Sequence, residues 1–249
     1  MKINISLVSG SSVSLSKDYR RTFISLIKRA FKNTKLSTET INKKEYKPYT
    51  FSVWLGDKIE IDVQKLKTGN ILNFTFSSGD PEIITNFYNG ILALKGENIY
   101  LSKDSQLKIT DINLLPYRRI NSDKVLFKTV GVSVLNDPQA GRKDFKKWYI
   151  IPTDDIERFN QCLLQRTNSR YQFITKKAGI HKIRMVLPYE IDNPIKETIV
   201  KHYEGNVRGF RGTFWLEGTP EILQFVYDYG LGIRTGQGFG MLEIVKMGE

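Results

Sequence analysis

The sequence predicts an α+β protein made of two tandem ferredoxin-like (RRM-like) βαββαβ domains. Three observations carry that prediction. Apolar patterns of period two and period 3.6 follow one another in the order β-α-β-β-α-β through the first half. The second half repeats the order with an elaborated middle. A polar stretch over residues 116–123 lies between them, so the domains are expected at 1–118 and 119–249. A four-stranded sheet of this kind is also the platform of RNA-recognition modules.

Residues 2–8 alternate and put Ile3, Ile5 and Leu7 on one face, a first strand. A Ser/Gly-rich connection over 9–16 follows, and Ser16 or Asp18 is placed to cap a helix. That helix, over 19–32, carries Tyr19, Phe23, Leu26, Ile27, Ala30 and Phe31 as its core stripe. Its other face holds Arg20, Arg21, Lys28, Arg29 and Lys32. Every charge there is positive, and like charges four apart repel, which disfavours a purely structural face. Residues 33–47 read as a loop or short helix, and 49–55, 58–63 and 70–76 as strands. Pro81 opens a helix to about residue 92, and strands over 99–101 and 107–115 complete the half.

The second half starts with a strand over 125–135 and a basic loop containing Arg142, Lys143, Lys146 and Lys147. Residues 153–155 cap a helix expected to end near Arg166. Strands over 182–189, 197–202 and 210–216 precede a helix capped by Thr219 and ending near Tyr229. A short strand over 242–245 closes the pattern.

The chain has 249 residues, of which 40% are hydrophobic and 12% aromatic, enough to bury a core. Lysine and arginine number 38 against 26 acids, a net charge of +12, which suggests a polyanionic partner. Cys162 is the single cysteine, which excludes an internal disulfide and a cysteine-based zinc site and suits a reducing cytoplasm. No apolar run approaches the ~18 residues of a membrane span, so no membrane partner is expected.

The densest signal lies near the C-terminus, where Gly230, Gly232, Gly236, Gly238 and Gly240 fall within eleven residues. It lacks the strand before and helix after that a dinucleotide fingerprint needs, and the Gly-Lys-Ser/Thr of a P-loop. Two readings stay open on these residues: a glycine-rich cradle for a nucleic-acid backbone, helped by Arg234, or a long bulged hairpin with no ligand.

The stretch reads G-h-G, five residues, G-h-G: Gly230-Leu231-Gly232, then residues 233–237, then Gly238-Phe239-Gly240. That resembles the C-terminal signature of the CRISPR repeat-RNA processing endoribonucleases, the Cas-six family of the RAMP superfamily. Tyr19-Arg20 through Leu26-Ile27 is similar to the family's first helix. Lys47-Pro48-Tyr49-Thr50-Phe51-Ser52 is similar to its K-x-F-T-F-S strand entry, with tyrosine for the first phenylalanine. The similarity runs along nearly the whole chain. It implies tandem ferredoxin-like domains that bind a CRISPR repeat RNA and cut the precursor transcript once per repeat. The implied reaction needs neither metal nor cofactor: a ribose 2′-OH attacks the adjacent phosphate and leaves a 2′,3′-cyclic phosphate. A non-cleaving, repeat-RNA-binding RAMP subunit of an effector complex is the alternative. Effector subunits and a second copy of the chain stay open as further partners.

The chain departs from the family at the catalytic histidine. That position falls among residues 37–41, which contain none, and the two histidines, His181 and His202, lie in the second half. The family's first-helix tyrosine falls on Lys28, and its lysine before the strand is retained as Lys47, next to Tyr46. Lys28, Tyr46 and Lys47 are therefore the expected catalytic group. Tyr46 would orient or deprotonate the 2′-OH, with the lysines on the phosphorane and the leaving oxygen. Expected RNA contacts are Arg20, Arg21, Lys32, Arg142, Lys143, Arg208, Arg211, Arg234, Gly236, Gln237 and Gly238. His181 and His202 read more readily as ordinary structural histidines than as catalysts.

Overall fold

The computed structural model describes residues 1–63, 65–101 and 105–248. Its first half is a ferredoxin-like unit. Strands β1 (Lys2–Val8), β2 (Val13–Ser16) and helix α1 (Arg20–Ala30) lead to a π-helical turn at Ser37–Ile41. Then come β3 (Thr50–Trp54), β4 (Ile59–Ile61), β5 (Lys65–Thr68), β6 (Ile71–Ser77), α2 (Pro81–Ala93), β7 (Ile99–Tyr100) and β8 (Gln106–Leu115). The main sheet is ordered β3-β6-β1-β8-β7 with antiparallel pairing throughout. Period-two alternation works as expected: Ile3, Ile5 and Leu7 on β1 point into the core against α1 and α2. Phe23 of α1 stacks on Phe74 of β6 at 5.3 Å between ring centroids, and Phe76 of β6 stacks on Phe87 of α2 at 3.9 Å.

The second half repeats the unit with β9 (Lys124–Thr129), β10 (Leu135–Asn136), α3 (Phe145–Trp148), β11 (Tyr149–Ile150), α4 (Ile156–Thr175), β12 (Ile183–Val186), β13 (Ile195–His202), β14 (Gly205–Gly218), α5 (Pro220–Tyr229) and β15 (Leu242–Met247). Its main sheet runs β12-β14-β9-β15, and β13 folds back on the first half of the long β14. The two-residue turn between them puts both Tyr203 (φ 46°) and Glu204 (φ 65°) in the left-handed region, as a type I′ hairpin turn requires. Both halves thus share one strand order, and the chain is a tandem ferredoxin-like α+β protein. No helix of the described residues is long and apolar enough to cross a membrane.

Four local expectations change. Residues 13–16, read as connection, form β2 and pair with β5 in a small three-stranded sheet with β4. Asp18 does not cap α1; its carboxylate is taken by His202 Nδ1 at 2.9 Å and the Tyr203 amide at 2.8 Å. The strand expected over 125–135 stops at Thr129, because Gly131 turns the backbone at φ 94°. Helix α4 continues nine residues beyond the expected Arg166, to Thr175.

Phe76 is fully buried at the centre of the first core. Phe76→Ala is expected to lower unfolding free energy by about 3–5 kcal/mol, read from urea denaturation. A loss under about 1 kcal/mol would contradict the packing described.

Candidate functional site

The glycine-rich segment from Gly230 to Met241 is threaded between the two halves. On one side it is held by the first half: Thr50 Oγ1 donates to Phe239 O at 2.9 Å, and Arg20 Nε to Gly238 O at 3.3 Å. On the other side it is held by the second: Ile233 N donates to Val134 O at 2.8 Å. Gly236 and Gly238 are required by close approach to the first half. A Cβ on Gly236 would lie 2.3 Å from Lys47 Cγ, and one on Gly238 (φ +84°) would lie 2.7 Å from the Phe51 ring. The motif therefore presses its backbone onto the Lys47–Phe51 strand entry.

The strongest anchor is Arg170, on the buried face of α4 and 2% exposed. Its Nη1 donates to the carbonyls of Gly230 at 2.8 Å and Gly232 at 3.1 Å. Its Nη2 reaches Tyr229 O at 2.9 Å and Thr235 Oγ1 at 3.2 Å. Burial pulls its pKa down to about 10, so it stays charged at neutral pH. Among the described residues no carboxylate lies within ion-pair distance of it. Its charge is compensated by dipoles, three backbone carbonyls and the Thr235 hydroxyl, with the Phe225 ring 5.6 Å away.

Beside this anchor opens a cleft of about 790 Å³. Lys28, Tyr46, Lys47, Arg234, Gly236 and Gln237 all line it, so six of the sequence-predicted residues come together. Lys28 and Arg234 are exposed, while Tyr46 and Lys47 are half-buried. Arg234 sits in the left-handed region at φ 58°, with Nη1 on Gln237 Oε1 at 3.0 Å and Nη2 at 3.3 Å from Tyr149 Oη. The Lys47 ammonium donates to Thr40 O at 2.8 Å and to Lys43 O. Burial lowers its pKa, Glu45 opposes the shift, and the positive charge of Lys28 adds to it. Tyr46 packs edge-on against Phe173 of α4 at 5.5 Å.

The other expected contacts are distributed differently. Arg21 lies in a separate groove and places its guanidinium 5.2 Å from the Tyr203 ring. Lys32 is exposed in the turn just beyond α1. Arg142 and Lys143 are exposed on the loop before α3, with Arg142 over the Trp148 ring at 5.2 Å. Arg211 and Gly238 line a groove of about 230 Å³ with Trp54. Two expected contacts are withdrawn from the surface. Arg20 is 4% exposed, wedged against the Tyr19 and Phe239 rings. Arg208 is 3% exposed and doubly paired with Asp154 (2.5 Å) and Glu197 (2.7 Å), which raises its pKa further. Both serve the fold in this structure, because a buried guanidinium must be paired or hydrogen-bonded internally.

His181 stands apart, contacting Asn168 and Thr219. His202 is buried under the loop, with Nε2 3.1 Å from Gln237 Oε1. A second cleft, of about 820 Å³, lies beside β12 and the start of α5, but its lining cations Lys124, Lys182 and Arg184 are matched by Asp123, Glu157 and Glu217, and Glu217 pairs with both Lys124 and Arg184. In the first cleft, by contrast, Lys28 and Arg234 have no acidic partner among the described residues.

Sequence reasoning missed Arg170, Phe173 and Tyr203. Arg170 was legible as an arginine on the apolar face of a helix, but only once α4 is carried past Arg166. Tyr203 has no such local signal, since the hairpin brings it to the cleft from 150 residues or more beyond Tyr46 and Lys47.

Residues 115–244, just over half of the chain, match the family model for the C-terminal part of the CRISPR associated protein Cas6. A putative CRISPR-associated endoribonuclease-like protein Cas6 from Pyrococcus furiosus is 25% identical over 213 residues, 80% of this chain and 79% of that protein. Among solved structures, a RAMP protein described as binding different RNA substrates superposes with a TM-score of 0.81 at 18% identity, over 99% of this chain and 100% of that one. The product of a Cas6-related gene from Pyrococcus furiosus superposes with a TM-score of 0.81 at 23% identity, over 99% of this chain and 98% of the other.

Arg170→Met leaves three loop carbonyls without their donor. The expected cost is about 4 kcal/mol or more in urea unfolding, at about 1.5 kcal/mol or more for each carbonyl that loses a charged donor. Arg170→Lys should recover only part of it, because one ammonium cannot span the guanidinium's fork. An Arg170→Met protein as stable as the parent would show that the loop is held by other contacts.

Proposed function

This chain belongs to the CRISPR-associated Cas6 family, and on that premise we propose that it is an endoribonuclease acting on CRISPR repeat RNA. It binds the repeat and cleaves the precursor transcript once within each repeat, without a metal. The observation that carries this reading is the cleft itself: Lys28, Tyr46 and Lys47 from one half face Arg234, Gly236 and Gln237 from the other. The endoribonuclease-like name of the Pyrococcus furiosus relative and the RNA-binding description of the structural neighbour support it.

In the reaction, the ribose 2′-oxygen attacks the adjacent phosphorus as its proton passes to a base. The bond from phosphorus to the 5′-oxygen breaks, and that oxygen takes a proton from an acid. The products are a 2′,3′-cyclic phosphate and a 5′-hydroxyl. Tyr46 orients or deprotonates the 2′-OH. Lys28 and Lys47 stabilise the phosphorane charge and protonate the leaving oxygen. A lowered pKa makes Lys47 a stronger acid than a free lysine. Arg234 and the loop backbone hold the phosphate, while exposed Arg21, Lys32, Arg142, Lys143 and Arg211 track the flanking RNA backbone.

A second reading, a repeat-RNA-binding subunit that does not cut, is favoured by one observation. No histidine occupies residues 37–41, and neither histidine lines the cleft.

The deciding experiment incubates the protein with its repeat RNA in EDTA and maps the product ends. A single cut ending in a cyclic phosphate supports the enzyme; tight binding with no cut supports the second reading. Lys28→Ala, Tyr46→Phe and Lys47→Ala are each expected to slow single-turnover cleavage by about 10²-fold or more. Parental rates in all three would remove these residues from the chemistry. Lys47 must be protonated to act as the acid, so kcat should fall as pH rises through its depressed pKa. Lys47→Arg, which does not deprotonate, should be slower and lack that alkaline fall.

A further inference from the structure

His202 is a buried titratable group that the cleavage scheme leaves unused. Its side chain is fully buried at the end of β13. Its Nδ1 is 2.9 Å from Asp18 Oδ1, and its Nε2 is 3.1 Å from Gln237 Oε1. That same Oε1 accepts from Arg234 Nη1 at 3.0 Å. An arginine only donates, which fixes the amide oxygen towards it. Both atoms facing the imidazole are then acceptors. A neutral imidazole donates from one nitrogen only, so this network is complete only with the imidazolium.

With His202 neutral, the proton stays on Nδ1 against the Asp18 carboxylate. The bare Nε2 then faces Gln237 Oε1, lone pair to lone pair. A half-turn of the Gln237 amide relieves the clash, because its NH₂ then donates to Nε2. The same half-turn removes the acceptor from Arg234 and turns a donor towards it. Arg234 must let go of Gln237.

We propose that His202 is a positioning residue for the cleft: when neutral it releases Arg234, through the Gln237 amide, to meet a ligand phosphate, and when protonated it ties Arg234 back. The step to a phosphate rests on the reading of the cleft as an RNA site. His202 itself does not line the cleft, whereas Gln237 and Arg234 do.

The groups facing the ring are Asp18 from the segment before α1, Arg20 from α1, Tyr203 from the hairpin turn, and Phe239 and Gln237 from the loop. Arg21 lies beside Asp18 at 3.9 Å. Burial moves the imidazole pKa below its ordinary 6.5, against the opposing pull of Asp18 and Gln237. The releasing state therefore holds at neutral pH and the tied state in acid.

The test needs two readouts between about pH 5 and about pH 7.5, the window of a histidine titration. The first is ¹⁵N NMR of the free protein. With two histidines in the chain, the His181→Gln variant assigns the His202 ring. His202 should pass from the Nδ1–H tautomer to imidazolium as pH falls. The Gln237 amide and the Arg234 guanidinium should shift with the same midpoint, and in Gln237→Met the Arg234 signal should lose it. The second is affinity for a tetramethylrhodamine-labelled oligouridylate, whose bases do not titrate in this window. Binding should weaken about tenfold from the neutral to the acidic end, the worth of one charge-assisted contact, and this loss should vanish in Gln237→Met. General gain of positive charge would tighten binding in acid, the opposite sign. An Arg234 signal that ignores the His202 midpoint, or an acid loss that persists in Gln237→Met, overturns the proposal. Linked NMR midpoints without oligouridylate binding at any pH would uphold the coupling and sink the RNA reading alone.

Discussion

The cleft depends on one uncompensated charge. Arg170 carries a buried guanidinium with no acid beside it among the described residues, and the glycine loop supplies its solvation through carbonyls of residues 229, 230 and 232. A charge in that position is costly unless every donor is used. The loop must therefore keep these carbonyls turned inwards, and the turn at Thr235–Gln237 follows on the cleft side. Hydrogen bonds to a charged donor contribute about 1.5–3 kcal/mol each, enough to hold backbone in left-handed conformations. Arg20 does the same from the other flank through Gly238 O. Five glycines are thus clamped between two guanidiniums.

That clamp also explains why the halves meet where they do. Each ferredoxin-like sheet closes its own core. Polar contacts make much of the join: Thr50 and Arg20 reach the loop, Asp18 meets His202, Lys2 Nζ donates to Leu242 O, and Ser77 Oγ donates to Asp228 O. Because the loop runs along the seam, the cleft inherits one wall from the segment over 41–49 and the other from residues 234–237.

The sheets were legible because half-buried strands write their faces as alternation, as in Ile3, Ile5 and Leu7. Helix α1 was legible from its apolar stripe, and α2 and α5 from the Pro81 start and the Thr219 cap. Helix α4 was cut short in the reading because its second half buries Thr167, Asn168 and Arg170, polar residues that break an apolar stripe. Lys28, Tyr46, Lys47 and Arg234 were legible as a group only by resemblance; nothing in their spacing says that they share a cleft. Burial of Arg20 and Arg208 was illegible because Gly238 lies 218 residues from Arg20 and Asp154 lies 54 from Arg208, while Glu197 meets Arg208 only once the β13–β14 hairpin is formed. Asp18 was read as a local cap for the same reason: its true partner lies 184 residues away.

These long separations govern how the protein comes into being. The contacts that assemble the cleft span 184 residues from Asp18 to His202, 189 from Thr50 to Phe239 and 218 from Arg20 to Gly238. The first sheet, in contrast, is complete once residue 115 has emerged. A chain under synthesis thus carries a finished first sheet and a growing second one while Arg20 still lacks its carbonyl and Arg170 its loop. Contacts of such separation carry the largest closure entropy and reward it last. The basic cleft takes shape only when the stretch from Gly230 onwards threads the seam and adds β15 to the second sheet, so a chain cut before Gly230 has the first platform and an unfinished second one, without the site.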